Sequence, residues 1–169
     1  IVVDNEDWGI QLNGRWSDDV DNIITNNTVL RNDDGIRLYK QDSLLFANTV
    51  KDNNRYGISI NQSGNNSKLY LWNNTVSNND NSDIILSEGS IVYSVGTSFS
   101  TISVSSNSIL TIKSYIDLDV NDVSGDNMSG IDIKVMENDV QKYATSYFGG
   151  SDSKTDSSGT ISTFLINSK

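Results

Sequence analysis

The chain has 169 residues and carries 12 Lys+Arg against 22 Asp+Glu, a formal charge of -10, so it has room for one ordinary domain or two small ones and is strongly acidic. His, Cys and Pro are all absent, which excludes a disulfide framework, cysteine-histidine zinc sites, a histidine-based triad and thiol redox chemistry. The acidic balance argues against a nucleic-acid partner, no apolar run reaches the roughly 18 residues of a membrane span, and 36% hydrophobic residues beside 22 Asn and 26 Ser do not suit a thick core of large helices.

The chain opens at Ile1 within an apolar stretch and without an initiator Met, as a processed chain or a fragment would. A repeat follows. Gly9-Ile10-Gln11-Leu12, Gly35-Ile36-Arg37-Leu38 and Gly57-Ile58-Ser59-Ile60 share one pattern, and Asp83-Ile84-Ile85-Leu86 is a degenerate fourth copy; their first residues lie 26, 22 and 26 positions apart. Asn27-Thr28-Val29, Asn48-Thr49-Val50 and Asn74-Thr75-Val76 precede the second, third and fourth of these units, each with an aliphatic residue three positions earlier (Ile24, Leu45 and Leu71).

Such short alternating segments, bounded by Asn, Asp and Gly, read as strands too short to stand as hairpins. They must stack on their own copies, as coils of a solenoid whose Ile, Leu and Val rows line a narrow core. Asn tolerates left-handed backbone, and its amide can bond to the same amide one coil away. A ladder of Asn27, Asn48 and Asn74 is therefore expected, with Asn32, Asn53 and Asn78 or Asn79 as a second row. Gly9, Gly35 and Gly57 are expected to supply positive φ at corners. From Gly to Asn the connections run 18, 13 and 17 residues, which places the variable loops on one face.

Over about residues 1–100 these units resemble the repeats of right-handed parallel β-helix proteins, the pectin-lyase-like superfamily, and particularly its NosD-like branch. The resemblance implies a fold more than a function, because that superfamily includes polysaccharide lyases, epimerases, copper-insertion accessory proteins, adhesins and surface-layer components.

After about residue 90 the units stop and longer alternating runs begin, among them Tyr115 to Asp122, Gly130 to Glu137 and Gly159 to Ile166, bounded by turn signals at Ser124 to Asn127, Gly149-Gly150 and Asp156 to Gly159. Ile116, Leu118, Val120, Ile131, Ile133 and Val135 are expected to point inward from an antiparallel sandwich. The segment resembles immunoglobulin-like modules related to the regulatory domain of carboxypeptidases, but it carries Met128 where that family has Pro. It also stops where one or two more strands are due, so an incomplete sandwich with an open edge is expected. The expected architecture is all-β: a short right-handed parallel β-helix of about four coils (residues 1–100), then a small antiparallel Ig-like β-sandwich (residues 101–169).

Three sets of residues could carry function. Trp8, Trp16, Tyr39, Tyr56, Tyr70 and Trp72, with Arg37, could stack on sugar rings and fork onto uronate carboxylates; the plainer reading has them covering coil corners. Asp18, Asp19 and Asp21, or Asp33 and Asp34, could gather calcium, although Asp-rich loops are ordinarily turn formers. Among the sequons, Asn61 and Asn65 are the most plausible glycosylation acceptors if the chain is exported. Without His, and with few coils, catalysis is not expected, and no cofactor beyond calcium is implied.

Ile1, Val2 and Val3 form an uncapped apolar edge. The expectation is a noncatalytic extracellular structural or adhesive surface protein, assembling end to end with itself or with neighbouring surface proteins. The alternative is a carbohydrate-binding or polysaccharide-processing β-helix module acting on glycans.

Overall fold

The computed structural model describes residues 1–14, 22–40, 42–61 and 68–167, which fall into two compact units, Ile1–Ile112 and Lys113–Lys169. In the first unit short strands recur in threes. The first layer is β1 (Val2–Val3), β2 (Trp8–Asn13) and β3 (Asn22–Thr25), and the second is β4 (Thr28–Leu30), β5 (Asp34–Tyr39) and β6 (Ser43–Phe46). Next come β7 (Thr49–Lys51), β8 (Tyr56–Asn61) and β9 (Lys68–Trp72), then β10 (Thr75–Ser77), β11 (Ser82–Ser87) and β12 (Ile91–Val95). A shorter last layer holds β13 (Ile102–Val104) and the start of β14 (Ile109–Ile116).

Like strands stack in parallel, giving a first sheet β1-β4-β7-β10, a second β2-β5-β8-β11-β13 and a third β3-β6-β9-β12, which β14 extends. This is a β-solenoid. Four strands in the first sheet are joined by three steps, so the repeats count about four coils where the winding from β1 to β10 makes about three turns.

Register turns the sequence repeat into a core. Val29, Val50 and Val76 stack in the first sheet, Ile36, Ile58 and Ile84 with Leu38, Ile60 and Leu86 in the second, and Leu45 with Leu71 in the third. All are essentially inaccessible to solvent. Each fully buried aliphatic side chain stabilises the fold by about 1.5–3 kcal/mol, so a narrow column suffices if every coil contributes to it.

The corners differ from expectation. Gly9, Gly35 and Gly57 do not have positive φ; at these corners the left-handed residue is the one just before each ladder asparagine, Asp4, Arg31, Asp52 and Asn78 in one row and Asn26, Ala47 and Asn73 in the other. The glycines serve a different need. A Cβ on Gly35 would lie 2.5 Å from the Gly57 carbonyl oxygen, 2.6 Å from Val50 Cγ1 and 2.9 Å from Asn53 Nδ2. Close stacking of one coil on the next therefore excludes a side chain there.

Two asparagine ladders run along the solenoid. In the first, the backbone N–H and side-chain Nδ2 of Asn27 both donate to Asn48 Oδ1 (3.0 and 3.3 Å), and those of Asn48 donate to Asn74 Oδ1 (both 3.0 Å). In the second, Asn5 donates to Asn32, Asn32 to Asn53 and Asn53 to Asn79 in the same paired way. Asn79, not Asn78, is the ladder residue; Asn78 supplies the left-handed corner before it. Each amide satisfies a corner N–H that burial would otherwise leave unpaired.

Both ladders end within the chain. Asn74 donates to Thr97 Oγ1 (3.2 and 3.3 Å), and Asn79 donates to Asp83 Oδ1 from its N–H (3.3 Å) and Nδ2 (2.9 Å). Asp83 stands in register with the repeat glycines. A side chain fits there because the next coil is shortened: Thr75 faces Ser98 and Ile84 faces Ile102, so the corner that would bear the next asparagine is missing. The other carboxylate oxygen accepts from the Ser100 and Thr101 N–H groups (2.8 and 3.2 Å). Burial alone would raise the Asp83 pKa, but the Asn79 amide and the backbone donors outweigh it and hold the carboxyl below its ordinary value.

In the second unit the alternation of half-buried residues at Ile116, Leu118 and Val120 and at Ile131, Ile133 and Val135 is present. The Ig-like sandwich is not. Among the described residues this unit holds two antiparallel pairs, β14 with β17 (Phe164–Asn167) and β15 (Lys134–Glu137) with β16 (Val140–Ala144), plus isolated bridges and one 3-10 turn. Side-chain turns stand at two of the expected turn sites, at the ends of the alternating runs. Asp122 Oδ1 accepts from the Ser124 and Asp126 N–H groups, and Asp156 Oδ1 from those of Ser158 and Thr160, so these aspartates satisfy backbone donors that a ladder would have used.

Candidate functional site

The structure divides the expected aromatic cluster between two faces. Trp8 (β2), Arg37 and Tyr39 (β5) and Tyr56 (β8) lie on the second sheet, where cations already cover the rings. The Arg37 guanidinium is 5.0 Å from the Trp8 ring centroid, Lys40 Nζ 4.8 Å from Tyr39 and the Arg55 guanidinium 5.4 Å from Tyr56. Arg55 also faces Asp33 and Asp34, and Arg31 forks onto Asp4 at 2.8 and 3.0 Å. These arginines are engaged within the fold and do not converge on a ligand.

Tyr70 and Trp72, both among the expected aromatics, belong to the third sheet, where Ile23, Leu44 and Phe46 stand beside them. Two outward rows stack in register: Ile23, Leu44, Tyr70 and Tyr93, then Thr25, Phe46, Trp72 and Val95. Tyr70 and Tyr93 stack at 5.4 Å and 18°, and Trp72 meets Tyr70 edge-on at 6.4 Å and 74°. Ile23 is 66% exposed, and Phe46, Tyr70 and Trp72 between 37% and 39%, so this face keeps a large apolar area in water. A groove of about 320 Å³ opens here, lined by Ile23, Asp42, Ser43, Leu44, Tyr70 and Trp72. In the sequence Tyr70 and Trp72 are its signal, while Ser43–Phe46 and Lys68–Trp72 otherwise read as short apolar runs.

The remaining candidates are scattered. Trp16, Asp18, Asp19, Asp21 and Asn65 lie outside the described residues. Asn61 closes β8, half-buried, and its carbonyl accepts from the Lys40 N–H at 3.1 Å. Val2 and Val3 form β1, at the end of the first sheet, while β2 and β3 end the second and third on the same side. Val2, Ile10 and Leu12 there are only partly buried against the core, and among the described residues no group donates to Oδ1 of Asn5 or Asn27. Asp34 is 3% exposed, and burial raises its pKa despite Arg55 Nε at 3.6 Å, a distance too long for a hydrogen bond.

Residues 1–97 match the family model described as "Periplasmic copper-binding protein (NosD)". No curated protein and no solved structure matches the chain. Copper does not suit the donors of this sequence: it has no His, no Cys and two Met. Met128 and Met136 both lie beyond the matched residues, and among the described residues no three His, Cys, Asp or Glu side chains gather as a metal site. No described helix is long and apolar enough to cross a membrane. The matched stretch covers 97 of the 169 residues and coincides with the stacked coils, and the chain belongs to the NosD family of periplasmic β-helix proteins.

Proposed function

We propose that this chain is a noncatalytic structural module of an exported protein, a stiff solenoid that joins a second copy through the strand edges at its N-terminal end. The periplasmic description of the family supports export. The observation that carries the reading is the contrast between the two ends. At one, β1, β2 and β3 finish their sheets together over a half-buried core, and the ladder acceptors of Asn5 and Asn27 have no donor among the described residues. At the other, Asp83 and Thr97 terminate the ladders and the last coil is shortened. Unpaired edges over an incompletely covered apolar column favour addition of further strands.

Light scattering across a wide concentration range, with electron micrographs of the same samples, tests this reading. A monomer that becomes a dimer on concentration is expected, and deleting residues 1–4 should hold it monomeric. A strict monomer at the highest concentration would refute pairing.

A further inference from the structure

We infer that the groove on the outer face of the third sheet is a binding site for an uncharged glycan, seated on Tyr70 and Trp72. Chemistry at three places converges on that ligand. The first is the aromatic platform: Trp72 and Tyr70 present partly exposed rings, and Tyr93 backs Tyr70 at 5.4 Å, so the platform is held in place before a ligand arrives. Such rings match the flat C–H faces of pyranose sugars, and a groove of about 320 Å³ is at the small end of ligand sites.

The second is the polar lining. Asp42 supplies it, because Ser43 is 3% exposed and shares the inward face of its strand with Leu45, in register with the buried Leu69. One carboxylate oxygen of Asp42 accepts from the Lys68 N–H at 2.7 Å, and the other has no partner among the described residues. A carboxylate oxygen beside an apolar platform calls for a ligand that offers O–H donors along with an apolar face.

The third is charge. Among the described residues no Lys or Arg lines the groove, Asp42 is its one ionisable group besides the Tyr70 phenol, and the chain carries -10 overall. Arg31, Arg37 and Arg55 are engaged with Asp4, with Trp8 and with Asp33 and Asp34. A uronate or a phosphate would meet a carboxylate and no cation, so an uncharged sugar is the ligand that fits.

The test uses the full chain with Trp8→Phe and Trp16→Phe, which leaves Trp72 as the one tryptophan. Uncharged gluco- and manno-hexaoses are titrated while Trp72 emission is followed, with a hexameric oligogalacturonide as the anionic comparison. A saturable shift with an uncharged hexaose and none with the oligogalacturonide is expected. In calorimetry on the otherwise unaltered chain, Tyr70→Ala and Trp72→Ala should each weaken binding about tenfold. Both side chains are partly exposed, and circular dichroism checks that the variants fold. Asp42→Asn, which keeps an oxygen acceptor, should stay within about twofold. No saturation with either uncharged sugar, tighter binding of the oligogalacturonide, or full affinity after Tyr70→Ala would each overturn the assignment.

Discussion

Replacing Asp83 with alanine removes the acceptor for four donors: the Asn79 N–H and Nδ2, and the N–H groups of Ser100 and Thr101. The four are not equal. Ser100 and Thr101 are exposed and can turn to water, whereas Asn79 is 7% exposed, and its backbone N–H and one Nδ2 hydrogen would be left unpaired inside the corner, the other Nδ2 hydrogen staying on the Ser77 carbonyl. At about 1–3 kcal/mol for each buried donor left unmade, the loss is about 3–4 kcal/mol. Asp83→Asn keeps an oxygen for Asn79 and sets its NH₂ against the exposed donors, for a cost of about 1 kcal/mol. Asp83→Gly restores the repeat residue, yet it should be the worst of the three, since it adds about 0.5–1 kcal/mol of backbone entropy to the alanine loss. Urea unfolding followed by tryptophan emission measures all three. Glycine within about 0.5 kcal/mol of the parent would refute the claim that this carboxylate substitutes for the missing coil. The pH dependence has a definite sign. Because the folded pKa is depressed, the contribution is complete above the ordinary value of 3.8 and is lost as pH falls through the folded pKa, so the parent and Asp83→Asn should converge in acid.

At Gly35 alanine meets backbone and a packed valine at 2.5–2.6 Å, so Gly35→Ala should destabilise by about 1–3 kcal/mol or more, whereas Ala47→Gly, at a left-handed corner, should be nearly neutral in the same unfolding assay. Asp34 has the opposite pH behaviour to Asp83: burial raises its pKa, so its charged form opposes folding, and that penalty grows as pH rises through the folded value. Asp34→Asn should therefore be more stable than the parent at pH 7 and match it in acid, as thermal midpoints at several pH values will show. Copper offered in stoichiometric amount and then dialysed against a chelator should leave no metal with this chain by elemental analysis; one retained equivalent would contradict the donor argument.

Spacing made the stacked coils legible, because a residue that recurs at every corner must meet its own copies once the strands are too short to pair in hairpins. Asn27, Asn48 and Asn74 could be placed in one row on that ground alone. The glycines misled because a repeated glycine suggests conformational freedom, and only coordinates show that the next coil's backbone passes where a Cβ would be. Left-handed φ falls instead on the residue before each ladder asparagine, including Arg31 and Ala47, whose identities give no sign of it. The third-sheet groove was hidden for a related reason. Ile23, Leu44 and Tyr70 are 21 and 26 positions apart in sequence, and only the register makes them one row. In the second unit, alternation carried over, and it forms two antiparallel pairs among the described residues, while Asp122 and Asp156 close local turns with their own carboxylates.

The contrast between the two ends is the central claim, and amide hydrogen exchange at low and high protein concentration tests it most directly. Residues of β7, β8 and β9, inside the stack, should exchange slowly at either concentration, and β13 should exchange at one rate throughout. Amides of Val2–Val3 and Trp8–Asn13 should gain protection as concentration rises. Unchanged exchange in β1 and β2, or protection that develops in β13 instead, would contradict the assignment of the open end.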